Sequence, residues 1–395
     1  MRRLDRHELA GGLGDAGLFI PIAVALVTLN GLGATAAFGG AGIVYLATAL
    51  YFRVPIPVQP LKAFAAAAIA LELKADVIAA GALLMSAALA VLALTGAADW
   101  LARRFPVVLV RGIQASVALL LVKAAVELAE RGNWKGLPHV SVGISLVTAG
   151  AACAALFLLA RRRVPGSLLV LGLGFAGGLA LAGFPDGVTL GPQHVDISLP
   201  GGPDFATALT TLVLAQLPLT FGNSVVATAA AEREYFGARA ARVRPSRLAG
   251  SIAGANLLAG LTHGLPLCHG AGGVTAHVKL GARSAAATAS VGVLYLALAL
   301  VFGASLPALL QLLLPGALAG MLLYVAVQHA LLASSLDRLA DRVLAAGVGV
   351  VTLLSGNLGI GFAAGVAALV VRNLLTHGRP LRPKADRAQV AEGLG

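Results

Sequence analysis

The chain has 395 residues, of which 58% are hydrophobic and 12% charged, and its mean hydropathy is +0.89. Soluble domains are about 45–50% apolar, so a soluble globular protein is excluded. Lys and Arg number 29 against 17 Asp and Glu, a net charge of +12, which in a soluble chain would point to nucleic acid; here the cations must first be placed relative to a membrane. Cys153 and Cys268 stand far apart in apolar sequence with no CxxC or Cys/His spacing, so neither a disulfide framework nor a zinc site is indicated. The short charged N-terminus precedes an apolar run with no cleavage site, and the first hydrophobic segment reads as retained.

A membrane helix takes about 20 apolar residues, and runs of that length bounded by charge, Gly or Pro divide the chain into about fourteen segments. In chain order they fall at 13–31, 34–52, 57–73, 76–96, 107–126, 139–160 and 167–183, then at 206–230, 246–262, 268–282, 286–303, 307–333, 340–355 and 357–375. The expected fold class is an all-α polytopic membrane protein. Alternate loops carry Lys and Arg in a ratio of about 23 to 3, which makes the crowded side cytoplasmic and puts both termini there, in a cell inner or plasma membrane. Topology thus explains the positive charge, and nucleic acid drops out as a partner. Membrane lipid is an expected partner: Arg111 snorkels or meets lipid phosphate, while for the basic loop from Arg233 to Arg247 the positive-inside effect suffices and an anionic-lipid contact is the alternative. Glu127, Glu130, Glu232 and Glu234 read as solvated helix ends.

Residues 185–205 are rich in Gly and Pro, carry Asp186, Asp196 and Asp204 and contain no Lys or Arg. They read as an external linker between a first half (1–184) and a second half (206–376), followed by a disordered cytoplasmic tail (377–395). Seven segments per half give the halves opposite orientation, a 7+7 inverted repeat. The third and tenth segments, each interrupted by Pro, Gly and polar residues, occupy matching places.

In the third, Pro55-Ile-Pro57-Val-Gln59-Pro60-Leu-Lys62 precedes the helix-forming run from Ala63 to Ala70. Three prolines remove three donors and disfavour helix before them, so the chain enters extended and a helix is expected to start close to Pro60. In the tenth, Leu265-Pro266-Leu-Cys268-His269-Gly270-Ala271-Gly272-Gly273 repeats the design with glycines, which let a ligand approach the backbone. Unwound chain at membrane depth must line protein or a water-filled cavity, and a helix N-terminus there is an anion site.

At these residues the chain resembles the molybdate transporter family related to the sulfate permeases. The matching stretches are Gly14-Asp15-Ala-Gly-Leu-Phe-Ile-Pro21, Pro55-Ile-Pro57-Val-Gln59-Pro60-Leu-Lys62, Gln216-Leu-Pro218-Leu-Thr220-Phe-Gly222-Asn223 and Pro266-Leu-Cys268-His269-Gly270-Ala-Gly272-Gly273. The resemblance implies a uracil-permease-like fold in which a core domain (segments 1–4 and 8–11) moves against a gate domain (segments 5–7 and 12–14), and it implies dimerisation. It departs from the family pattern at Ala16 and Leu18, where Leu and Thr are expected, so a hydroxyl near Asp15 is missing.

The expected substrate is molybdate or a related oxyanion, held by backbone N–H groups near Lys62, Ala63, Gly270, Ala271 and Gly272 and by Gln59 and His269. Lys62 neutralises the anion or pairs with Asp15. Gln59 donates its amide or caps the unwound strand, and His269 contacts substrate or makes a structural bond. Gln216 and Asn223, seven apart on one helical face, line the cavity or join helices. Asp15 is a coupling or structural acid. No cofactor, metal or ATP-binding motif is called for, and catalysis is not expected. Competing readings are a sulfate or general oxyanion permease, a nucleobase permease, for which segments eight and ten lack the acids, and a membrane enzyme or scaffold.

Overall fold

A backbone in hydrocarbon must satisfy its own polar groups, and the apolar runs accordingly fold as helices. The computed structural model describes residues 6–13, 16–101, 106–130, 140–161, 166–334 and 336–375. Helices α1 (Arg6–Gly12), α2 (Ala16–Leu29) and α3 (Ala34–Phe52) are followed by strand β1 (Gln59–Pro60), α4 (Lys62–Ala70), α5 (Ala75–Leu94), the short α6 (Ala97–Leu101), α7 (Val107–Glu130), α8 (Val142–Arg161) and α9 (Gly166–Ala182). The second half opens with α10 (Gly202–Ala208), which continues through a π-helical stretch (Leu209–Val213), α11 (Leu214–Leu219), a second π stretch (Thr220–Ala227) and α12 (Thr228–Phe236). Then come α13 (Pro245–Thr262), β2 (Leu267–Cys268), α14 (Ala271–Leu280), α15 (Ala285–Phe302), α16 (Leu306–Leu310), α17 (Pro315–Ser334), α18 (Leu339–Ser355) and α19 (Leu358–Leu375).

Among the described residues, seven helices are long and apolar enough to cross a membrane. Leu94 (87% exposed) and Leu354 (81%) point outward, as befits helices whose outer faces meet lipid. The chain is a multi-pass membrane protein.

Four expectations need correction. The helix of the third segment, expected to open close to Pro60, starts at Lys62, because Pro60 pairs in β1 and the Leu61 N–H donates to Pro266 O at 3.0 Å. The eighth begins at Gly202 rather than 206, with Pro203 in the first turn and the Gly201 N–H donating to Asp204 Oδ2 at 3.0 Å, and it runs on through Phe236. The twelfth is two helices, α16 and α17, since Pro315 cannot donate into a continuous helix and instead opens the second. Glu232 is not a solvated end: it is wholly buried, while Glu234 is exposed.

Two packing groups emerge. In one, α3 lies against α15 and α5 against α13. In the other, α17 lies against α7 and α8, and α18 against α7 and α19. Between α2, α3 and α15 the rings of Phe19, Phe38, Tyr45 and Tyr295 form a buried box, with Phe19 stacked on Tyr295 at 4.5 Å; each such pair contributes about 0.5–1.5 kcal/mol beyond its burial. Residues 185–201 are tied to helix ends: Gln193 N donates to Thr35 Oγ1 at 2.7 Å, Thr189 N to Ser305 Oγ at 2.8 Å, and Ser198 N to Leu261 O at 3.2 Å.

Candidate functional site

Prolines at 55, 57 and 60 hold the chain extended as it enters the bundle. The exposed edge so created pairs antiparallel with the other broken segment, Gln59 opposite Cys268 and Pro60 opposite Leu267. Asn256 of α13 pins the second strand: its Nδ2 donates to Leu267 O at 2.7 Å and its Oδ1 accepts from Leu267 N at 3.3 Å. Because the strands run in opposite directions and each feeds a helix, α4 and α14 start beside one another and diverge. Their N-termini bring two sets of unsatisfied N–H groups and two partial positive charges to one place.

Side chains complete it. Gln59 is 1% exposed and Lys62 8% exposed. The Gln59 amide lies against the start of α14: a Cβ at Gly270 would come 2.4 Å from Gln59 Oε1 and 3.3 Å from Lys62 Nζ. A Cβ at Gly273 would come 2.4 Å from Gln59 Nε2 and 2.8 Å from the Pro57 ring. Gly273 is therefore required for room against the Pro57 ring, whereas a side chain at Gly270 would displace the Gln59 amide. A Cβ at Gly272 would point into open space, so the backbone there is open to a ligand, while Ala271 and Ala63 are buried.

The other expected ligands are placed differently. Gln216 is buried, its Oε1 accepting from Phe64 N at 2.8 Å and its Nε2 donating to Thr220 Oγ1 at 2.8 Å. It caps the first turn of α4. Asn223 lies in the second π stretch, half-buried, where its carbonyl accepts from Thr228 Oγ1 at 3.0 Å. The wider π turn breaks the seven-residue spacing that had put it on one face with Gln216. His269 has Nδ1 at 2.9 Å from Pro57 O and Nε2 at 3.1 Å from Ser251 Oγ, so its ring braces the two broken segments against α13 rather than facing a ligand. Asp15 lies outside the described residues.

Several contributors escaped the sequence reading. Asn30 Nδ2 donates to Ala68 O and Leu73 O, both at 2.8 Å, and Lys123 Nζ to Ala70 O at 3.0 Å, closing the far end of α4. His329 of α17 is 4% exposed with no hydrogen-bond partner at Nδ1, and the Lys62 ammonium is close enough to act on it electrostatically. A lone polar residue inside an apolar helix was the available signal for Asn256 and His329; their partners lie too far off in sequence to be read. Among the described residues no group of three or more His, Cys, Asp or Glu side chains could hold a metal ion.

A many-helix membrane protein in which two broken helices meet N-terminus to N-terminus at a buried lysine has the architecture of a secondary transporter. The fold is shared with the transmembrane domain of the cyanobacterial bicarbonate transporter BicA (TM-score 0.64, 17% identity, 91% of this chain and 97% of that one). It is shared too with the murine anion transporter Slc26a9 in its inward-facing state (TM-score 0.65, 15% identity, 95% and 69%). The sequence pattern of the family described as "Molybdate transporter of MFS superfamily" matches residues 7–121 and 208–328, and the chain belongs to that family. It is similar to Molybdate transporter 2 of Arabidopsis thaliana (28% identical, covering 93% of this chain and 88% of that protein). It is likewise similar to Molybdate transporter 1 of Chlamydomonas reinhardtii (27%, 82% of each).

Proposed function

We propose that this protein is a secondary transporter of molybdate that binds the oxyanion between the N-termini of α4 and α14 and moves it by alternating access. The observation that carries the reading is the convergence of Gln59, Lys62, Gly270 and Gly273 at the antiparallel junction of the two broken segments. There the oxyanion accepts from the N–H groups of Lys62, Ala63, Ala271 and Gly272, from the Gln59 amide and from the Lys62 ammonium. Charge-assisted bonds of this kind replace a hydration shell without full neutralisation. Gln216 and His269 position these groups rather than touch the ion.

The motion follows from a 7+7 inverted repeat of fourteen segments, residues 1–184 and 206–376 about a linker at 185–205. Its support is in the packing. Exchanging the halves turns the α3–α15 contact into α13–α5, and the α17–α8 contact into α7–α18, and both members of each pair occur. The first group of helices, with α4 and α14, is then the mobile core and the second the gate, both termini lie in the cytoplasm, and a homodimer holds the gates fixed.

Uptake of labelled molybdate into liposomes containing the purified protein, with sulfate, selenate and uracil as separate competitors, tests this. Saturable uptake that resists sulfate is the expected result; uptake abolished by modest sulfate would make the protein a general oxyanion carrier, and inhibition by uracil would return it to the nucleobase permeases.

A further inference from the structure

The buried residues of α12, Thr228, Ala229, Glu232 and Phe236, form one face, and α12 packs on α14. Ala229 and Phe236 join an apolar cluster with Phe52, Val54 and Ile56, with Val278 of α14 against it. Between them sits Glu232, 0% exposed, with neither carboxyl oxygen hydrogen-bonded. On α14, His277 is also 0% exposed and neither ring nitrogen has a partner. Buried polar side chains are nearly always satisfied, so two orphaned titratable groups on two packed elements call for a function, the more so within a membrane span.

The charged groups around them do not supply the missing partner. Arg239 acts on Glu232 from the turn after α12, but its Nη2 donates to Arg283 O at 2.7 Å and its guanidinium lies 5.4 Å over the Phe236 ring. Arg233 and Glu234 of α12 and Arg53 before β1 are exposed, and Lys279 lies near the far end of α14. A carboxylate buried from solvent, with no hydrogen-bond donor and only an otherwise engaged guanidinium acting on it, is a poor place for a negative charge and a good place for a proton.

We propose that Glu232, together with His277, is a proton-binding site that couples oxyanion movement to a proton gradient. The inference rests on the transport reading above and adds the coupling ion to it. Its geometry is that of one half-helix with two tasks: the first turn of α14 faces the oxyanion, and two turns on, His277 lies on the element packed against Glu232. The chemistry is one O–H bond made and later broken: the carboxylate takes up H+ while the core is open to the outer solution, is buried as the neutral acid, and gives the proton to water on the cytoplasmic side when the α12–α14 contact opens, which regenerates the carboxylate. Proton and oxyanion travel in the same direction, and the proton offsets part of the anion's charge.

The test uses the full chain in liposomes with labelled molybdate and the membrane potential clamped at zero. An inside-alkaline gradient of about one pH unit should raise accumulation about tenfold at equilibrium for one proton per ion. Glu232→Gln, which keeps the shape of the acid, should still exchange labelled for unlabelled molybdate but lose gradient-driven accumulation, and His277→Gln should weaken the response. Wild-type accumulation indifferent to the gradient, or full accumulation by Glu232→Gln, would overturn the proposal while leaving exchange intact. Absence of exchange by the wild type would instead overturn the transport reading itself. A pH indicator inside the vesicles needs no variant: acidification accompanying molybdate entry supports the site, and its absence contradicts it.

Discussion

The half-helix beginning at Lys62 is approached through prolines and carries its own donors and charge, whereas the one beginning at Ala271 is approached through glycines and offers backbone and space. The first is stiff: Pro55, Pro57 and Pro60 fix the chain, Gln216 caps the first turn, and Asn30 and Lys123 hold the last. The second is hollow: the space a side chain would take at Gly270 and Gly273 is filled by the Gln59 amide from the first half. The two broken segments are thus complementary parts of one junction. A symmetric site with two lysines would set two cations side by side, and one with two glycine loops would have no charge to offer the anion.

This complementarity can be broken at defined points. The largest effect is expected at Gly273→Val, whose side chain meets the rigid Pro57 ring as well as Gln59; overpacking of this kind costs about 1–3 kcal/mol, read as a lower melting temperature in detergent together with lost uptake. Next come Lys62→Ala and Gln59→Ala, which should leave the protein folded but lower apparent molybdate affinity roughly ten- to hundredfold, since a hydrogen bond to a charged group contributes about 1.5–3 kcal/mol. Unchanged uptake in both would move the site away from the first half-helix.

Gly270→Ala sharpens the comparison, because its Cβ meets only mobile side-chain ends. It should push the Gln59 amide aside and reduce affinity without unfolding, and the loss should shrink in a Gln59→Ala background, as coupled neighbours are not additive. The smallest effect is expected at Gln216→Ala. Loss of this cap should lower stability by about 1 kcal/mol, seen by thermal melting, with substrate preference unaltered; a changed order of competing oxyanions would instead make Gln216 a contact residue.

Much of this organisation was legible in the sequence, because a bilayer forces apolar length and broken backbone to be written in composition. The spans at 34–52 and 286–303 emerge within a residue of their expected bounds, and Pro60 and Gly270 mark the two breaks. What was not legible depends on partners distant in the chain. The start of α4 moved from Pro60 to Lys62 because Pro266, more than two hundred residues away, accepts the Leu61 N–H. His269 looked like a ligand until Pro57 and Ser251 were seen to take both ring nitrogens. Glu232, in the run Glu232-Arg-Glu234, looked solvated, since composition does not say which face of a helix turns inward. The π turns of the eighth segment left no signal beyond Pro218, which removes one donor inside it.

The central claim, that one oxyanion sits between the two half-helix starts, is tested most directly by locating the metal itself. Crystals grown with molybdate and measured at the molybdenum absorption edge give a peak that belongs to no protein atom. That peak should lie within hydrogen-bonding reach of Lys62 Nζ, the Gln59 amide and the backbone of Ala271 and Gly272. A peak elsewhere in the molecule, with this junction empty, would contradict it.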